Sequence, residues 1–532
     1  MTYTFPRVNT TIVAKTRRSS VYVENPKVPV LFATVVSDKG PYAITKVHDL
    51  TEFKELYGDL SFEKQGQDVL NLYQWIGSLP FNGYAWIKRI DPAFVVDVNG
   101  VDTYVEDINT LAKATGSVSN NGSNFTFNFV AKEPGQLYTK YIIRVSQRRN
   151  SLGQFMPSFN VTVINNLGVV VDNLRGVDAD NFGTALPLLQ YFDATLTGSG
   201  MPTEVSSTSV FGGTTVSADA VLALDTSGGE IESGITDGLT PQEIFEAMSL
   251  YYRTNVRLEL EDMLSYPISI ILDGNYPISL KKDIIDFIRD VRDDVHFMLT
   301  RARYKETVGV VDNPLVLDEM SDVEVKDMLD YDMPEKGNVA MFAPDIARVS
   351  DPVVDGYVNV SSIYELAYKI PYNDYNYGIW WNFVGPRRGI TFGELLHTNT
   401  MREKQEYTDT LTNYIEKTNR DQCFMLQRTT GKPNTAYVQL HASRLTQYIR
   451  REITWIGRRY LFEYNDIDAT TYNDCKAEIK AFLNKFASIA IDMSKPYVLD
   501  IFKVDETTFR ISLTNLKYKD VAETVDLYIE LE

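Results

Sequence analysis

Residues 28–36 are almost continuously apolar, which predicts a strand covered on both faces. Residues 50–57 read as a short helix stopped by Gly58, a residue suited to the left-handed cap. Val69, Leu72, Tyr73 and Ile76 recur at helical spacing, and residues 84–90 return to a strand pattern. This β-α-α-β order predicts one half of an α/β layer.

The pattern then changes. Phe125, Phe127 and Phe129 alternate with polar residues, as do Phe159, Val161 and Val163, with Asn121-Gly122 and Asn165-Asn166 as turn material. A small, mainly β domain is expected over 94–180. Over 181–345 helices and strands alternate. Thr240-Pro241-Gln242-Glu243 is a capping box with proline at the first helical position, opening a helix to about Asn255. Strands are expected at 267–272 and 295–299, a helix at 280–292, and a Ser/Thr/Gly-rich loop at 206–238. This stretch reads as a separate inserted α/β domain.

Further on, residues 402–419 read as a polar helix. Leu445, Ile449, Ile453, Ile456 and Tyr460 mark one helical face, and Tyr472, Cys475, Ile479, Phe482, Phe486 and Ile489 another. Strands follow at 498–504 and 509–516. At the C-terminus Val525, Leu527, Ile529 and Leu531 alternate with polar residues almost to the final position. Chain ends fray unless tied down. This strand therefore either closes its own sheet or adds to a neighbour's. The N-terminal residues 1–26 are extended and β-favouring, with Ile12, Val13, Val21 and Val23 among them and no internal partner in view, which favours exchange between copies.

Composition adjusts this picture in a few places. A chain of 532 residues exceeds what one core organises, so several domains are expected. With 71 acidic against 52 basic side chains the net charge is −19, which repels nucleic acid, and the arginine pairs are scattered. Cys423 and Cys475 have no metal or redox spacing, and a reducing assembly site is expected. No signal core or membrane-length apolar run is visible.

Candidate chemistry is sparse. No phosphate-cradling glycine motif and no nucleophile elbow occurs, and His48, His296, His397 and His441 stand alone. Asp283, Asp286, Asp290, Asp293 and Asp294 read as a solvated helical face rather than a metal site, and Asp327, Asp330 and Asp332 read the same way. No cofactor is expected.

Several segments in order resemble one family. Residues 32–41 (Phe-Ala-Thr-Val-Val-Ser-Asp-Lys-Gly-Pro), Leu50-Thr51-Glu52-Phe53 closing at Tyr57-Gly58, Ala131-Lys132-Glu133-Pro134-Gly135, the paired arginines of 444–451, Phe462-Glu463-Tyr464-Asn465, and Ala522-Glu523-Thr524-Val525 are similar to contractile phage tail sheath proteins and the sheaths of related injection machines. Met425-Leu426-Gln427-Arg428-Thr429-Thr430 stands where that family has a Trp-Gly-x-Arg-Thr run.

The resemblance implies a non-enzymatic virion subunit that is assembled in the host cytoplasm. It would form stacked six-fold rings around a tail tube, with baseplate and tail terminator proteins as partners. Its α/β multidomain fold would comprise an N-terminal arm (1–26), a discontinuous inner core (27–93 and 346–516), inserts at 94–180 and 181–345, and a C-terminal arm (517–532). Arg444, Arg450, Arg451, Arg458 and Arg459 either face an acidic tube or pair internally. A tube or baseplate protein, or an α/β enzyme, are the competing readings.

Overall fold

The computed structural model describes residues 29–519, apart from 81–82, 108–112, 120–124, 136–137, 139–140, 153–154, 166–167, 179, 199–209, 212–213, 216–218, 224–238, 305–314, 316, 332–336, 354–355, 390, 392, 431–437, 464–469 and 488. Its centre is an eight-stranded sheet. The strand order is Thr45–Val47, Ala85–Ile90, Leu31–Val36, Ile270–Leu272, His296–Thr300, Val339–Phe342, Thr412–Lys417 and Gln422–Met425. The six inner strands are parallel and the two edge strands antiparallel.

Every residue of Leu31–Val36 is buried, because helices cover both faces of the sheet. On one face Phe32 and Val36 join Ile244, Tyr251, Ile284, Phe287, Val325 and Met328, from three helices over Pro241–Arg253, Ile278–Asp290 and Asp322–Asp330. On the other face Leu31, Ala33 and Val35 pack with Val69, Leu72, Ile76, Ile363, Leu366 and Ile370, from helices Gln67–Ser78 and Ile363–Asn376. The period-2 alternation of a strand thus sends successive side chains into two different cores. The capping box at Thr240 forms as read, and Ser321 with Glu324 forms another.

The chain's middle departs from the expected domain plan. Ile270–Leu272, His296–Thr300 and Val339–Phe342 are central strands of the main sheet, so the stretch from about 240 to 345 belongs to the core rather than to an insert. Residues 402–419 are not one helix: the helix is Met401–Asp409, Leu411 takes a positive φ of 54°, and Thr412–Lys417 is a strand whose first four residues are buried. Its polar residues are satisfied inside, with Asn413 donating to the carbonyls of Met341 and Arg428.

The inserted β unit has two sheets and extends beyond residue 180. One sheet is Phe192–Gly198, Phe125–Ala131 and Thr115–Ser119; the other is Val170–Val177, Phe155–Ile164, Ile142–Arg149 and Asp219–Ala223. The last of these strands lies in the stretch expected to be a loop. Phe127, Phe129, Val145, Phe159 and Val161 fill the space between the sheets. The unit is pinned to the core by fully buried Arg89, which donates to the carbonyls of Gly40 (2.7 Å) and Pro134 (2.9 Å) and lies over the Tyr42 ring. Gly135 fits this joint because a Cβ there would sit 2.3 Å from the Asp38 carbonyl.

At the C-terminal end, helices Leu440–Arg458 and Thr470–Asn484 pack through Leu445, Ile449, Ile456, Cys475, Ile479 and Phe482. An antiparallel hairpin, Val498–Lys503 with Phe509–Thr514, leans on them.

Candidate assembly surface

In open α/β sheets, ligands bind beyond the carboxyl ends of the strands. Here that crevice is filled by the protein's own polar groups. Lys281, wholly buried, contacts the Asp273 carboxylate and donates to the carbonyls of Thr300 and Ala302, both at 3.0 Å. Asn275 donates to Gln67, whose own amide reaches Ser361, and Tyr304 accepts from the Gln67 backbone N–H. Polar donors and acceptors matched this way form a rigid knot rather than a substrate pocket. Among the described residues no group of three or more His, Cys, Asp or Glu is placed to hold a metal.

One buried acid in this knot has a measurable consequence. Burial raises the Asp68 carboxyl to about 7 from its ordinary 3.8; a hydrogen bond with Tyr276 opposes the shift and the nearby Asp273 adds to it. The folded pKa lies above the unfolded one, so the folded chain binds the proton more tightly. The stabilisation is therefore complete below the unfolded value, declines as pH rises and is lost above about 7. Urea midpoints should fall between about pH 5 and about pH 8, and by less in Asp68→Asn. An identical fall in both proteins would contradict this.

Of the aspartates read as solvated, the set from Asp283 to Asp294 does not form one open face, whereas Asp327 and Asp330 are exposed and Asp332 lies outside the described residues. Asp283 is buried against Ser249 and Arg253, and Asp294 is buried and paired with Arg292 at 2.7 Å. Their neighbours are more open: Asp286 is half-buried and Asp290 exposed, both paired with Arg289.

The arginine-rich helix Leu440–Arg458 lies across the amino ends of the parallel strands. Arg444 is 3% exposed and makes a two-pronged contact with the buried Asp374 carboxylate. Arg451, 7% exposed, donates to the Ile268 carbonyl at 2.6 Å, just ahead of a core strand. His296 and Ser443 are hydrogen-bonded at 2.9 Å, and Ser443 donates to the Gly337 carbonyl. A tube-facing role is thereby corrected for Arg444 and Arg451, whose side chains join the helix to the sheet. Charge reversal at Arg451 would register as misfolding. Arg450 pairs with Asp293 at 2.6 Å and Arg459 with Glu478, both partly open to solvent; Arg458 is exposed beside Trp455. These internal partners were invisible in sequence because they lie 70 and 157 residues away for Arg444 and Arg450.

A surface feature that the sequence reading did not locate lies beside this helix. Ile449 and Ile453 of the helix face Ile511 and Leu513 of the hairpin, with Leu516 and Tyr518 closing one end, around an open, mainly apolar groove of about 400 Å³. Among the described residues the hairpin strands pair only with each other, and one edge of Phe509–Thr514 has no partner strand among those residues. The strand-exchange residues Ile12, Val13, Val21, Val23, Val525, Leu527, Ile529 and Leu531 lie outside the described residues.

No protein-family model and no curated protein matches the chain by sequence. Solved structures do match. The sheath tail protein of Listeria innocua aligns with 92% of this chain and 96% of its own at 12% identity, with a TM-score of 0.55. The sheath tail protein of Desulfitobacterium hafniense covers 92% of this chain and 97% of its own at 11% identity and a TM-score of 0.48. The contracted helical sheath of the anti-feeding prophage covers 99% and 100% at 10% identity, also at 0.48. The likeness to the Listeria protein establishes a shared α/β multidomain fold.

Proposed function

Starting from a chain with the tail-sheath fold, we propose that this protein is the structural subunit of a contractile sheath. Copies assemble as six-fold rings stacked helically around a tail tube. Contraction of the stack drives the tube through a cell envelope, with baseplate and terminator proteins capping its ends. The observation that carries this reading is the likeness to the Listeria sheath tail protein over 92% of the chain. Assembly would take place in the host cytoplasm, and the finished subunit would reside in the tail.

The groove gives the terminal arms a role. A strand with Val525, Leu527, Ile529 and Leu531 on one face has the apolar side that a cleft lined by Ile449, Ile453, Ile511 and Leu513 would accept. A neighbouring copy's C-terminal strand would extend the hairpin, with Ile12, Val13, Val21 and Val23 of an N-terminal arm alongside. Full-length protein concentrated in solution should form hollow, ridged cylinders in negative-stain micrographs. Monodisperse monomers at high concentration would overturn the sheath reading. Removing residues 528–532 should abolish long cylinders, and normal long cylinders from the truncated chain would sink the exchange.

A further inference from the structure

Two exposed surfaces of opposite character sit on opposite layers of the central sheet. The first follows helix Ile363–Asn376, on the layer that also holds Gln67–Ser78. Tyr372, Tyr375, Tyr377 and Trp381 are each at least 40% exposed, and Arg388 lies 4.7 Å from the Tyr377 ring centre and 3.9 Å from that of Trp381. Arg387 beside it is exposed. The platform is rigidly built. Asn373 donates to the Trp381 carbonyl at 3.0 Å, and the Gly385 N–H donates to Phe424 at 2.8 Å. Gly378, at φ +100°, leaves no room for a Cβ, which would meet the Trp380 ring at 2.5 Å. Exposed aromatics and arginine held in place have the make-up of an interface centre, because little side-chain entropy remains to be lost on contact.

The second surface is helix Asp322–Asp330, on the opposite layer with Pro241–Arg253 and Ile278–Asp290. Its outer side carries Asp322, Asp327 and Asp330, with Lys326 among them, around Val323, an apolar side chain 78% exposed. Asp327 contacts Lys282, Glu324 contacts Arg303, and Arg301 is shared among Glu319, Asp322 and Glu406. Carboxylates outnumber these cations. Burial raises the Glu319 carboxyl, with Arg301 opposing and the carboxylates of Glu406, Glu403 and Asp322 adding to the shift.

We propose that the aromatic–arginine platform of one copy docks on the acidic helix of a second copy, Arg387 and Arg388 meeting Asp322 and its neighbours while the rings cover Val323. The sheet separates the two surfaces within a single chain, so they meet only between chains. The contact is head-to-tail, and a heterologous contact propagates as a ring or a helix rather than closing as a dimer. The proposal deepens the sheath reading and depends on it only in requiring that copies associate.

The test compares full-length protein with Arg387→Glu, with Asp322→Lys, and with both changes together, by sedimentation and negative-stain microscopy; circular dichroism confirms that each is folded. Each single change should raise the concentration for half-assembly about tenfold or more, and the combined swap should restore most of it. Folded single variants that assemble like the unaltered chain overturn the proposal, as does a combined swap no better than either single change. In both cases the sheath reading stands if the unaltered chain forms cylinders. An unaltered chain that remains monomeric overturns both.

Discussion

Replacing Arg444 by methionine should lower the stability of the C-terminal half of the core by about 3–5 kcal/mol, the usual cost of removing one partner of a buried ion pair. Arg444 and Asp374 are each nearly inaccessible, 3% and 2% exposed, and face one another with two hydrogen-bond pairs. Burial already pushes the Asp374 carboxyl upward, and the Arg444 charge is the main influence holding it down. Without that charge the helix Ile363–Asn376 would carry an uncompensated carboxylate against the arginine-rich helix. Urea denaturation followed by tryptophan fluorescence reads the loss. Asp374→Asn combined with Arg444→Met should recover a substantial part of it, because the stranded charge is gone. A single variant as stable as the parent would show that the pair does not couple the two helices.

Lys281→Met should be comparably damaging, by about 3–5 kcal/mol, at the other end of the sheet. Lys281 and Asp273 are both completely buried, and burial pushes the lysine down and the aspartate up, each opposed by the partner's charge. Removing the ammonium also strands the carbonyls of Thr300 and Ala302. The penalty should depend on pH in a defined direction. With Lys281 gone the Asp273 carboxyl rises further above its unfolded value of 3.8. Stability present at acidic pH is then lost as pH rises, so the variant should be hurt less at about pH 5 than at about pH 8. A pH-independent penalty would place the damage in packing rather than in the stranded charge.

Both pairs show where the sequence stops being legible. The arginines of 444–459 stand out in sequence as a basic stripe on an acidic protein, and the stripe admits a partner surface or internal pairing. Only the fold brings Asp374 to Arg444 and Asp293 to Arg450, leaving Arg458 as the exposed arginine of the set. The aromatic platform has a similar history. Tyr372, Tyr375 and Trp381 contribute to an aromatic-rich composition that fits large cores equally well, and their exposure becomes visible once helix Ile363–Asn376 is seated with Leu366 and Ile370 inward.

Local physics determined a good deal from the sequence alone. Apolar runs located the buried strand Leu31–Val36, a capping box opened the helix at Pro241, and helical periodicity marked Leu440–Arg458 and Thr470–Asn484. Each of these signals lies within a few residues of the element it specifies. What the tertiary structure decided is the company those elements keep. Parallel strands have no neighbours adjacent in sequence, so nothing local reveals that Leu31–Val36 pairs with Ile270–Leu272, or that the core continues through 345. Polar residues such as Asn413 and Lys281 read as surface until distant carbonyls and carboxylates satisfy them, and that satisfaction is a property of the assembled fold.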